Sequence, residues 1–139
     1  MEKKEKKRLT MMEKIEKPWG FEIIWAKTDN YVGKLLHINV GHRLSKQYHQ
    51  VKEETIYVLK GILYNYDAND CITRILPGNS FHVKPHQIHR FAAVETAVEI
   101  IEVSTPHLDD VVRIDDDYNR ENKIAVDEEE ELYRIYGGD

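Results

Sequence analysis

Between Trp19 and Ser104 the chain is built from short runs of β-branched and aromatic residues, broken by turn residues about every ten positions. That rhythm calls for a sandwich or a barrel, and residues 19–105 show no helical period. The expected strands are Phe21–Ala26, Val32–Val40, Leu44–His49, Thr55–Leu59, Ile62–Tyr66, Cys71–Leu76, Ser80–Val83, Arg90–Val94 and Val98–Ser104. Gly41, Gly61, Ala68-Asn69-Asp70, Pro77-Gly78 and Pro85 separate them. Each supplies a turn conformation that the interior of a strand resists.

The two ends follow other rules. Residues 1–16 are dense in charge and read as a solvated tail, with Leu9–Ile15 suited to a short helix when a partner is bound. Further on, Asp127–Glu131 places acids ahead of Leu132, Ile135 and Tyr136 at helical spacing, and Gly137-Gly138 supplies a stop. A short C-terminal helix is expected there. With 139 residues the chain is expected to form one domain, a barrel over 17–120 followed by an acidic segment at 121–139.

Charge and cysteine usage narrow the function classes. The net charge is −5, but residues 18–106 carry 9 Lys/Arg and 9 Asp/Glu, so the barrel segment is neutral. It has no basic stripe with interleaved aromatics, which argues against nucleic acid as a partner. No run of eighteen apolar residues occurs and the opening Met1-Glu2-Lys3-Lys4 is not a secretory signal, so no membrane partner and a cytoplasmic location are expected. Cys71 is the sole cysteine. An internal disulfide is thereby excluded, and a metal would have to be held by nitrogen and oxygen.

Such donors lie close together in the stretch Gln47-Tyr48-His49-Gln50-Val51-Lys52-Glu53-Glu54. Residues two apart on a strand share a face, so Gln47 and His49 aim the same way while Tyr48 faces the other. Glu54 falls in phase with Ile56 and Val58, which sets a carboxylate at the rim of an apolar wall, where it is costly unless paired. His89 follows a proline turn about thirty-five residues after Glu54. A divalent cation bound by Gln47, His49, Glu54 and His89 would offset that cost. Gln47 has an alternative use, as an amide that hydrogen-bonds a neighbour or a ligand. Lys84 and His86, just before His89, are candidates for proton shuttling or for holding an anionic substrate. Arg43, Lys46 and Arg113 are candidates for binding phosphate. Trp19 and Phe21 are expected to cover one barrel end or to join a subunit contact. Three consecutive acids, Asp115-Asp116-Asp117, cannot converge on one point of an extended chain and read as a solvated turn near Arg113 or Arg120.

The spacing from Gly41 to Gly61 (glycine, five residues, Gln47, one residue, His49, four residues, Glu54, six residues, glycine) resembles the first motif of the cupin superfamily. Gly78 to His89 resembles the second, with Lys84 where a proline is usual and His86 where a glycine is usual. More narrowly, Lys17-Pro-Trp-Gly20, Leu44-Ser-Lys-Gln-Tyr-His49, Val98-Glu-Ile-Ile-Glu-Val103 and Asp110-Val-Val-Arg-Ile-Asp-Asp-Asp-Tyr-Asn-Arg120 are similar to the isomerase domain of type II mannose-6-phosphate isomerase, often found fused to a mannose-1-phosphate guanylyltransferase.

This resemblance implies an all-β fold, a cupin jelly-roll barrel, to which the short C-terminal helix would be added. It also implies a sugar phosphate as the small-molecule partner, while the Gln47 amide oxygen in place of a third imidazole puts zinc or manganese ahead of nickel or iron as the divalent metal. Small barrels of this type cover their sheet edges by pairing, so a homodimer is expected. The implied reaction is aldose–ketose isomerisation of the mannose 6-phosphate type. Two other readings share the pocket: a carbohydrate-binding cupin without catalysis, and an iron-dependent oxygenase, whose ligand set is usually richer in histidine than one containing Gln47.

Overall fold

The computed structural model describes residues 12–121, which form eleven β-strands and no helix. In chain order these are β1 (Glu13–Lys17), β2 (Gly20–Lys27), β3 (Val32–Ile38), β4 (Lys46–Tyr48), β5 (Glu54–Lys60) and β6 (Leu63–Tyr66). They continue with β7 (Ile72–Ile75), β8 (Ser80–Val83), β9 (Arg90–Ala93), β10 (Val98–Ser104) and β11 (Val112–Asp115). No helix among the described residues is long and apolar enough to cross a membrane. The C-terminal helix expected at 127–136 lies outside the described residues.

All strand pairs are antiparallel. One wall is a six-stranded sheet in the order β1-β2-β3-β10-β5-β8. The facing wall is made from β7-β6-β9 and from the pair β11-β4, with bridges Arg43↔Ala92 and Gln47↔His89 joining the two. Non-sequential neighbours such as β3 beside β10 give the jelly-roll winding of the all-β barrel. Period-two alternation decides what faces inward: Val98, Ile100, Glu102 and Ser104 of β10 are buried, while Val103 is exposed. The core between the walls contains Ile38, Ile56, Leu63, Val83, Phe91 and Ile100.

Turn chemistry fixes the strand ends. Gly61 has φ +77°, and a Cβ there would lie 2.2 Å from the Ala97 carbonyl oxygen, so the turn after β5 accepts no side chain. His86 also has positive φ, 67°, although it is not glycine. The backbone conformation therefore explains why a glycine is usual at this place in the second motif.

Three strand expectations are corrected. Residues 13–17 form β1 and not a continuation of the tail, because they pair along β2 from Glu13↔Ile24 to Lys17↔Gly20; the helix expected over Leu9–Ile15 when a partner is bound begins outside the described residues. Residues 112–115 form β11, a strand concealed by the acidic run that follows it. The span Leu44–His49 contracts to β4, since Leu44 bonds outside any ladder to the Phe91 carbonyl. Trp19 is a core residue, 2 % exposed, and does not serve as an outer cover. Phe21 stacks on His37 with ring centroids 5.0 Å apart.

Candidate metal centre

His49 lies just past the end of β4, Glu54 opens β5 and His89 immediately precedes β9, so the small sheet and the large sheet each contribute to one point inside the barrel. One ligand atom from each of the three lies within 4.8 Å of the others, and all three residues are buried. The backbone fixes their tautomers. His49 Nδ1 is 2.6 Å from the Asp110 carbonyl and His89 Nδ1 is 3.0 Å from the Gln87 carbonyl. A carbonyl only accepts, so each Nδ1 carries the proton and donates it. The Nε2 lone pairs are left facing Glu54 Oε1, at 3.2 Å from His49 and 3.4 Å from His89. Three acceptors meeting among buried side chains repel one another, and a divalent cation satisfies all of them. The donor set thus fits a metal ion.

Gln47 reaches the same cavity by register. Its amide donates to the His89 carbonyl at 3.0 Å, and the His89 amide donates back to the Gln47 carbonyl at 2.9 Å. Its side chain lines the cavity with the three cluster residues.

Two further groups that the sequence did not single out complete the electrostatics. Lys52 Nζ lies 3.3 Å from Glu54 Oε2 and 3.1 Å from Glu102 Oε2, and all three side chains are buried. The contact to Glu102 Oε2 is an ion pair without hydrogen-bond geometry. Burial pushes the Lys52 ammonium down, but the charges of Glu102 and Glu54 outweigh it and hold the group above its ordinary value. Burial raises Glu54, yet the charge of Lys52, its largest lowering influence, brings its carboxyl well below the usual range. Glu102 goes the other way: burial and then the charge of Glu54 push it up to about 7, against Lys52 and Lys34.

Asp110 holds this arrangement from outside. Its carboxylate accepts the amides of Gln50, Val51 and Lys52 at 3.0, 2.7 and 2.8 Å. Its carbonyl is the one that orients His49. One residue therefore shapes the loop between His49 and Glu54.

The remaining predicted residues are scattered. Lys84 and His86 occupy an exposed turn and do not line the cavity; the His86 amide donates to the His49 carbonyl at 2.6 Å. Arg43 is paired to Asp117 at 2.7 Å, and Lys46 to Asp70 at 3.1 Å, both outside the cavity. Arg113 does line it. Glu102 had a legible signal, a carboxylate in phase with inward-facing Val98 and Ile100. Lys52 and Asp110 had none, because both sit on irregular loops where periodicity is silent.

The cavity around these groups measures about 360 Å³, at the small end of the range for small-molecule sites. Residues 4–116 match the family described as mannose-6-phosphate isomerase C-terminal. The chain belongs to this family. Solved structures carry the same fold as this member of the mannose-6-phosphate isomerase C-terminal family. KdgF from Halomonas sp. superposes with a TM-score of 0.61 at 20% identity, covering 70% of this chain and 88% of that one. A Klebsiella pneumoniae protein with a double-stranded β-helix domain gives 0.60 at 19% identity, covering 76% and 88%. A sugar phosphate isomerase of the cupin superfamily from Silicibacter pomeroyi gives 0.53 at 16% identity, covering 60% and 59%. At these identities the likeness establishes the cupin fold and not a shared chemistry. A comparison with curated proteins found no significant match.

Proposed function

We propose that this chain is a divalent-metal-dependent cupin acting on a sugar phosphate, by aldose–ketose isomerisation of the mannose 6-phosphate type. The observation that carries the reading is the meeting of the His49 and His89 Nε2 lone pairs with Glu54 Oε1 inside a ligand-sized cavity, in a member of the mannose-6-phosphate isomerase C-terminal family. Gln47, His49, Glu54 and His89 would hold the ion, and their mixture of amide, imidazole and carboxylate suits zinc or manganese, with nickel or iron as further options. When bound, the ion supplies Lewis-acid polarisation of a carbonyl and its neighbouring hydroxyl.

Isomerisation moves a proton between C2 and C1, and a side chain must carry it. Glu102 is a carboxylate beside the ligand set that also lines the cavity, and Lys52 holds it there. This pair takes the role for which the sequence suggested Lys84 and His86. The inward walls of β2, β3 and β9, with Ile24, Leu36 and Phe91, keep bulk water from the reacting carbons.

A coupled assay with zinc- or manganese-loaded protein is expected to convert mannose 6-phosphate to the ketose phosphate. Glu102→Gln is expected to lower kcat roughly 100-fold or more at unchanged metal content. Absence of turnover by the loaded wild-type protein would reject the reaction and leave a carbohydrate-binding cupin.

A further inference from the structure

The charged pairs in the cavity wall satisfy one another. Glu22 faces Lys34 at 3.5 Å and Lys17 at 3.7 Å, and Lys52 lies between Glu54 and Glu102. Two neutral groups of the wall are left over. Trp19 is 2 % exposed and Ser45 1 %, and neither Trp19 Nε1 nor Ser45 Oγ has a hydrogen-bond partner among the described residues. Both residues line the cavity. A buried indole N–H or hydroxyl without a partner costs free energy that an apolar residue of similar shape avoids. Leu36, Leu44 and Phe91, side chains of the same wall, carry no polar atom. A mostly apolar wall with a few placed polar groups is the kind of surface that orients a small molecule.

Register sets the two groups away from the metal ligands. Trp19 precedes Gly20, which lies opposite Ile38 and, one strand further, Val98; Glu54 lies opposite Ser104, at the other end of the same sheet. Ser45 is in phase with Gln47 and His49, and all three line the cavity. Two residues of extended chain advance roughly 7 Å, so Ser45 stands about one sugar ring beyond Gln47. An indole N–H only donates, whereas a serine hydroxyl donates and accepts. Neighbouring hydroxyls of a polyol supply an acceptor for the indole and a partner of either kind for the serine. An apolar ligand supplies neither.

We infer that Trp19 and Ser45 form a hydroxyl-reading subsite at the inner end of the cavity, holding neighbouring hydroxyls of the sugar while its carbonyl end lies at the metal ligands. The assignment rests on the sugar reading above, but it concerns recognition and not turnover.

The test is a proton–nitrogen NMR titration of the full-length, zinc-loaded chain with mannose 6-phosphate and with its analogues lacking the C3 or the C4 hydroxyl. The chain has two tryptophans, and Trp25→Phe assigns their indole resonances. The Trp19 indole proton is expected to move downfield on binding while that of Trp25 stays in place. Trp19→Phe and Ser45→Ala are each expected to weaken the sugar phosphate roughly three- to tenfold, with zinc affinity unchanged. One of the two analogues is expected to show the same loss with wild-type protein and no further loss with the variants, since the bond is already gone. Should Trp19→Phe fail to fold, Ser45→Ala and the analogues give the same comparison. A Trp19 resonance unmoved by saturating sugar phosphate, as when a fixed water holds the indole, would overturn the subsite. So would losses that add fully between protein and ligand, or no binding by the zinc-loaded wild type. Binding with the Trp19 shift but without isomerase turnover would keep the subsite and reject the reaction. Turnover with an unmoved Trp19 resonance would do the reverse.

Discussion

A single proton on each of two imidazoles decides what the centre of this barrel can bind. Because the Asp110 and Gln87 carbonyls take the Nδ1 protons, the Nε2 atoms of His49 and His89 are lone-pair donors aimed at Glu54. Asp110 is the residue on which this depends most, since it fixes both the loop at 50–52 and the ring of His49. Asp110→Ala keeps the carbonyl that accepts from His49 but releases the amides of residues 50–52, and the loosened loop is expected to lower zinc affinity roughly 10-fold or more. Competition against a chelator measures this, and an affinity equal to wild type would show that His49 is oriented without the loop.

At the level of elements, β11 and the turn after it act as a strap across the smaller sheet. Arg90, buried in β9, donates to the Leu44 carbonyl at 2.9 Å and reaches Asp115 at 2.9 Å and Asp117 at 3.1 Å. Arg120 closes on Asp116, and Arg43 on Asp117. For Asp116, burial raises the carboxyl but the bonds from Arg120 bring it below its ordinary value; for Asp117 the Arg43 hydrogen bond is the main lowering influence. A carboxyl lowered on folding contributes stability above its unfolded pKa of about 3.9 and loses it as pH falls through the folded value. Hydrogen-exchange protection of residues 112–121 is therefore expected to fall first as pH drops below about 4, ahead of the six-stranded sheet. Simultaneous loss in both regions would contradict a separable strap.

Over the whole molecule, the large sheet has one face in the core and one in water, and the outer face is not uniformly polar. Trp25 lies against Gly33, whose ladder partner is Val103, and Tyr57 and Leu59 continue the exposed apolar surface on β5. Monomers seldom leave such a surface uncovered. We expect a homodimer that covers this face, detected by light scattering as twice the 16.4 kDa chain mass. Trp25→Glu is expected to shift the population toward monomer, and a wild-type monomer at micromolar concentration would reject the expectation.

The alternation of apolar residues and the placing of turns were enough to determine an all-β barrel, because a period of two and short runs leave few other ways to bury those side chains. Spacing alone also brought out His49, Glu54 and His89, since ligands on strand ends keep a fixed phase. It did not reveal β1, whose alternation of Glu13, Ile15 and Lys17 resembles a solvated tail until an edge of β2 is present to pair with it. Nor did it reveal that Lys52 and Asp110 surround the cluster while Lys84 and His86 face away. Those choices depend on which loops cross which strands. Long-range packing sets that crossing, and no local pattern in the chain encodes it.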